Sequence, residues 1–263
     1  MKYISLVNRM NKLGVSFTQI NRKSMLRRVA ETIGLSALAL IFLHVAIVPA
    51  YAQDAKTQYP SMAPLEQYRI ANPPDEIALA RSAAPASISG DAEVLVLGSH
   101  GYETAAKGKN GFVCIVERSW SNNSGDAEFW NPKIRAPICF NAPAARSVLS
   151  NYLTRTGWVL AGVPQLQISE HIKSALATKT FSVPEPGAMC YMLSAQGYLG
   201  DAIAHWLPHL MFFLSRTDAS AWGGNLPGSP VMVLQGDPEP VTVFLIPMRK
   251  WSDGSPAPAD APM

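Results

Sequence analysis

Side chains capable of chemistry concentrate in one stretch, Pro186–Leu214, which holds Cys190, Tyr191, Asp201, His205, Trp206 and His209 within 20 positions. His205 and His209 are four apart. On one helix that spacing puts two imidazoles on one face, as in zinc proteases. Pro208 works against it, because it removes a backbone N–H and disfavours helix at Leu207. A helix here should therefore end near Trp206, and position 206 carries no glutamate. The two histidines can still converge, with His205 at a helix end and His209 opening a strand. A metal centre would then need further ligands from His100, Glu103, Asp201 or Cys190, and nothing in the sequence shows that these meet. His205 and His209 are thus the metal candidates, and His100, Asp201, His205 and His209 the catalytic ones. Asp201 precedes His205 by four and would orient its imidazole if the helix reaches that far. The plainer reading is a surface pair worth about 0.2–0.5 kcal/mol.

Other chemistries find less support. Cys190 with His205 or His209 could form a thiolate–imidazole pair, but Cys190 lies inside an apolar strand, where thiols are inert. No G-x-S-x-G is present. The glycines around His100 lack the spacing and the following helix of a phosphate loop or dinucleotide fingerprint. Met and aromatic residues across Met189–Phe213 could line a haem pocket, although core packing explains them as well. No cofactor is named by any motif.

The elements around this stretch follow from composition and period. Ala188–Leu193 and His209–Leu214 read as strands, with a helix over Ala195–Trp206 between them. That helix would run about 18 Å and return the chain beside its start. Cys190, Tyr191, His205 and His209 are then expected together near the end of a central strand. Upstream, Asp75–Ser82 predicts a helix, and Glu93–Leu97 and Phe112–Glu117 predict strands, the second buried on both faces. Gly98–Gly111 reads as a glycine-rich loop. Ser119–Pro132 reads as a loop whose Trp120, Phe129 and Trp130 pack down on the core or line a pocket. Ile138–Phe140 predicts a short strand. Pro143–Thr154 and Pro164–Thr178 predict helices, with His171 at the surface. Ser215–Pro230 is a third loop holding Trp222, and Pro230–Leu234 and Val241–Pro247 are strands. No βαβ alternation appears. The expected fold is α+β, a mainly antiparallel sheet with helices packed against it, over residues 75–251.

Charge divides the chain. Residues 1–52 carry seven Lys/Arg against Glu31 alone, whereas the remainder carries 15 against 18 Asp/Glu. A weakly acidic body without a basic cluster argues against nucleic-acid binding. Arg27-Arg28, the apolar run Ile33–Val48 and Ala50-Tyr51-Ala52 form the pattern of a secretory signal cleaved after Ala52. Counting from Met25 gives this leader an ordinary length, so Met25 is a candidate start. The paired arginines invite a twin-arginine reading, but only Ser24 and the pair match it. An uncleaved anchor is the alternative, and Ile33–Pro49 is slightly short for a span of about 20 residues. Residues 53–74 read as an extended lead-in and 252–263 as a disordered tail. The protein is therefore expected to be periplasmic or secreted, with no stable membrane anchor after cleavage.

Three cysteines remain, Cys114, Cys139 and Cys190. An oxidising compartment favours one bridge, and Cys114–Cys139 is the pair expected from their short apolar segments. The chain-entropy model gives it about 3–4 kcal/mol. Three buried free thiols are the alternative.

KGKNGFVC, FWNPKIRAPICFN, EPGAMCYM, GYLGDAIAHWLPHLMFF and WGGNLPGSPVM together resemble an uncharacterised family of exported bacterial proteins, over most of Met62–Gly254. The resemblance implies export and carries no activity, cofactor or catalytic residue. The sequence thus predicts an exported soluble protein that binds a small ligand or an envelope partner. The alternative is a periplasmic hydrolase, with or without a metal, using His205 and His209 with His100. A pocket lined by Trp120, Trp130 and Trp222 would favour the binding module.

Overall fold

β-branched and aromatic residues between turn signals build the sheet. The computed structural model describes residues 58–201, 203–236 and 238–258. Among them eight strands form one mixed, mostly antiparallel sheet in the order β2-β1-β3-β4-β5-β6-β8-β7. The strands are β1 (Glu93–Leu97), β2 (Tyr102–Ala106), β3 (Val113–Glu117), β4 (Ala136–Phe140), β5 (Met189–Met192), β6 (His209–Ser215), β7 (Met232–Gln235) and β8 (Val241–Pro247). β1 and β3 pair in parallel, and every other neighbouring pair is antiparallel. The helices are α1 (Pro73–Arg81), α2 (Ala86–Ser89), α3 (Ala142–Ala144), α4 (Ser150–Leu160) and α5 (Gln165–Ala177). A π-helical turn, Ala145–Leu149, joins α3 to α4. The architecture is α+β. No helix among the described residues is long and apolar enough to cross a membrane.

Period-2 alternation sends the strand residues into two apolar clusters. Ile115, Ile138, Phe140, Cys190 and Phe213 join Trp120, Phe129, Trp130, Leu149, Val159 and Ile168 in the larger one. Val94, Val96, Cys114, Val116 and Cys139 join Ala80, Ala83 and Ala84 in the other. β3 therefore feeds both, as its unbroken apolar run predicts. Cys114 and Cys139 face each other in the β3–β4 register and form the disulfide expected of them, and Cys190 is a buried free thiol.

Three expectations are corrected. The first is the loop Gly98–Gly111, which contains β2. This strand is largely exposed at the sheet edge, so its side chains carry no strand pattern and backbone pairing to β1 alone defines it. The second is the helix over Ala195–Trp206, which does not form. Tyr198 instead exchanges backbone hydrogen bonds with Arg135, 2.8 Å each way. Gly200 has φ +146°, and a Cβ there would stand 2.5 Å from the Glu128 carboxylate. Ala204 lies in the left-handed region at φ +56°. Tertiary pairing thus overrides a helix propensity already weakened by two glycines. The third concerns the ends of the domain. Tyr68, in the supposed lead-in, is fully buried, with its hydroxyl donating to Trp130 O. Trp251 N–H donates to Ser255 O and Ala257 N–H to Arg249 O, so the first part of the supposed tail is an ordered turn. The leader, residues 1–52, lies outside the described residues, as does the end of the tail.

Candidate functional site

Pro208 sets the geometry of the site. It holds Leu207 out of the helical region and starts β6 at His209. The His209 imidazole is 4% exposed, with Nδ1 2.8 Å from Leu207 O. A carbonyl only accepts, so Nδ1 carries the proton and donates. In the neutral ring Nε2 then holds a lone pair. That nitrogen is buried and has no hydrogen-bond partner among the described residues. Burial pushes the His209 pKa down, and the Leu207 carbonyl offsets this only in part. The ring is thus kept neutral at neutral pH, with one acceptor unused. The Trp206 ring meets it edge-on, centroids 4.8 Å apart.

Two shallow crevices, open to solvent, meet at this pair. One lies between Pro137, Met192, Leu199, Trp206, Leu207 and His209, with Ser194 and Gly197 completing its wall. The other lies between Trp206, Leu207, His209, Met232, Leu245 and Pro247. No charged side chain lines either. Each has a cavity volume of only about 10 Å³, so it admits one water-sized group at a time.

The other candidates do not converge here. His205 is exposed, its Nδ1 donates to Gly197 O, and it lines neither crevice. His100 is exposed in the β1–β2 turn. Four strand spacings separate β1 from β6, roughly 19 Å. Asp201 does not orient His205. Its carboxylate accepts from Tyr59 Oη at 2.5 Å, Gln58 Nε2 and Lys133 Nζ at 2.9 Å, and Tyr198 Oη. The Tyr198 hydroxyl first, then Tyr59 and Lys133, hold its pKa well below the usual carboxylate range. It fastens residues 58–59 to the loop before β6. Among the described residues no three His, Cys, Asp or Glu side chains gather to hold a metal ion. Cys190 and Tyr191 do neighbour the site, because β5 pairs with β6 and places Met192 opposite His209. The expected return of the chain beside its start is met, by a loop and not a helix.

The tryptophans also divide. Trp120 and Trp130 are core residues, whereas Trp222 is 56% exposed and lies over Phe244, ring centroids 5.0 Å apart. None of the three lines either crevice.

Buried charge was not legible in the sequence. Arg118 and Glu76 form an enclosed ion pair at 2.7 Å. Glu117, at the end of β3, has its pKa pushed up to about 7 by burial, against the pull of Arg155 and the Ser121 hydroxyl. Met192 and Met232 were likewise missed as site residues. Only the strand register reveals that they share a face with His209.

Comparison with protein-family models, with curated proteins and with solved structures gives no match. Function is therefore read from the site itself.

Proposed function

We propose that the protein is an exported binding module, an α+β domain with helices packed against its sheet, that takes a small ligand at the His209 crevice. One observation carries this reading: a buried, neutral imidazole whose Nε2 has no partner and whose ring lines the crevice. An unsatisfied buried polar atom costs about 1–3 kcal/mol, and a ligand that donates to Nε2 recovers it. The apolar walls favour an uncharged ligand body, and Trp206 offers a ring edge or face to it. Phenol is a suitable probe, because its hydroxyl is of the size the crevice admits and its ring can rest at the open mouth. At about 0.5 kcal/mol per heavy atom its Kd should be millimolar. Its addition should shift the His209 Nε2 resonance saturably in nitrogen-15 spectra. Acidification that protonates His209 should abolish the shift, because the imidazolium has no acceptor. A resonance indifferent to phenol up to 50-fold above ~1 mM would refute the reading.

Export is supported by the leader pattern of residues 25–52 and by the Cys114–Cys139 disulfide, which persists in oxidising compartments. The extracytoplasmic protein should begin at Gln53 on N-terminal sequencing. Recovery of the uncleaved chain alone, in the membrane fraction, would overturn export as a processed protein.

A further inference from the structure

We infer that the protein docks reversibly on a lipid bilayer with anionic headgroups, through the sheet face around Phe212 and the loop that carries Trp222. The period of two makes this face. On β6, Met211 and Phe213 join the larger core cluster, so Leu210, Phe212 and Leu214 project from the other side. Phe212 pairs with Phe244, and Phe244 with Val233, which puts all three on that side. Phe212 is 36% exposed there. No charged residue stands on this face of β6, β8 or β7. His209 shares the opposite face with Met211, so a bilayer on the Phe212 face leaves the crevice to its own ligand.

The loop between β6 and β7 extends the surface. Trp222 lies over Phe244 and is itself more than half exposed. Gly224 lets the loop lie close on β7, since a Cβ there would stand 2.3 Å from Val233 Cγ2. The Asn225 side chain donates to Val233 O at 3.2 Å and accepts the Val233 N–H at 3.0 Å. The loop is thus pinned in place, and Leu226, next in the chain, is 50% exposed. From Ala219 to Gly236 no residue is charged. A protein partner takes a polar, charged rim around its contact. The boundary between headgroups and acyl chains favours an uncharged apolar surface, and tryptophan concentrates there. Charge returns at the ends. Asp218 opens the loop and accepts the Ser220 N–H and hydroxyl, at 2.9 and 2.8 Å. Met248 N–H donates to Pro208 O, which carries the β6–β8 pairing one step further and keeps Met248 on the side of Phe244. Arg249 and Lys250 follow it, and all three are exposed. Cations at the end of an apolar face match anionic headgroups. A second copy of the chain fits less well. A face about 24 Å along β6 and about 10 Å across two strands offers roughly a third of the ~800 Å² that each partner gives a standard interface.

The chain from Gln53 onward, a compact unit by itself, is mixed with vesicles of phosphatidylcholine, alone or with an equal part of phosphatidylglycerol, and sedimented. Binding is expected, tighter to the anionic vesicles and weakened by salt. Trp222→Ser, Leu226→Ser and Phe212→Thr should each weaken it about fivefold or more, with the urea midpoint of Leu226→Ser unchanged. Arg249→Gln and Lys250→Gln should each weaken binding to anionic vesicles about fivefold and leave binding to neutral ones as it was. No binding to anionic vesicles would overturn the inference, as would parent-like binding in all three apolar variants. Self-association that Trp222→Ser abolishes, without vesicle binding, would give the face to a second copy and overturn the bilayer.

Discussion

Replacing Glu76 by glutamine should destabilise the protein by about 3–5 kcal/mol, the range for removing one partner of a buried ion pair. Glu76 is 1% exposed and Arg118 0%. Arg118 Nη2 donates to Glu76 Oε1 at 2.7 Å, Nε donates to Tyr68 O at 2.6 Å, and Nη1 donates to Val116 O. Glu76 Oε1 also accepts the Leu97 N–H at 3.2 Å. Glutamine keeps the shape and an oxygen to accept with, so the substitution isolates the charge. What remains is a guanidinium with no facing carboxylate, enclosed by α1, β3 and Tyr68. Against a total stability of about 5–15 kcal/mol this is a large share. In urea, with a slope of about 2 kcal/mol per molar, the midpoint should fall by roughly 2 M with the slope unchanged. Arg118→Met should also destabilise, because Tyr68 O and Val116 O lose their donors. The double variant should cost at least about 2 kcal/mol less than the sum of the two singles, since neither leaves a buried charge alone. A loss below about 1 kcal/mol for Glu76→Gln, or strict additivity in the cycle, would refute the assignment of this pair as the main electrostatic determinant of the core.

Two further predictions concern stability. Glu117 has a folded pKa of about 7 against an ordinary 4.5, so between those values the folded state holds a proton that the unfolded state has lost. Its contribution therefore falls as pH rises through that window, and Glu117→Gln should be about 1–3 kcal/mol more stable than the parent at pH 7.5 and equal to it near pH 4.5. His209 has the opposite sign, its stabilisation being lost as pH falls below its unfolded value, and the comparison at each pH cancels it. A difference that does not vary with pH would exclude Glu117 as the cause. For the disulfide, reduction should lower stability by about 3–4 kcal/mol, from a sequence separation of 25 between Cys114 and Cys139. Alkylation of the unfolded, unreduced chain should label Cys190 alone, and labelling of all three cysteines would contradict the bridge.

The strands legible in the sequence were those whose own side chains demand burial. EVLVL and VTVFLIP are dense in β-branched and aromatic residues, and β1 and β8 occupy those residues, Glu93–Leu97 and Val241–Pro247. β2 was hidden for the converse reason. YETAA buries almost nothing, and its conformation is dictated by the neighbour it pairs with. The segment after β5 failed differently. Its apolar residues suit a helix, but the backbone groups of Tyr198 find partners on Arg135, 63 positions earlier, which no local pattern announces. The same limit hid the Arg118–Glu76 pair. Each residue alone reads as a surface charge, and only the approach of α1 to β3 makes them one enclosed group.

The candidate site joins both kinds of information. Pro208 was legible, and so was its effect, that His205 and His209 would not share a helix. The sequence gives no reason to prefer one of them. The structure separates them by what their ring nitrogens do. Both donate through Nδ1 to a backbone carbonyl, but His205 is exposed, whereas the Nε2 of His209 is buried and has no hydrogen-bond partner among the described residues. A buried acceptor left open is unfavourable for folding alone. The residue that breaks the helix thus also shapes the candidate site: β6 starts at position 209, directly after Pro208, and the His209 ring turns one nitrogen back to the Leu207 carbonyl and leaves the other without a partner among the described residues. Register then brings Met192 opposite that imidazole, where packing alone would accept leucine as readily. Met192 and the Trp206 ring, the latter at 4.8 Å, then close the wall around that imidazole.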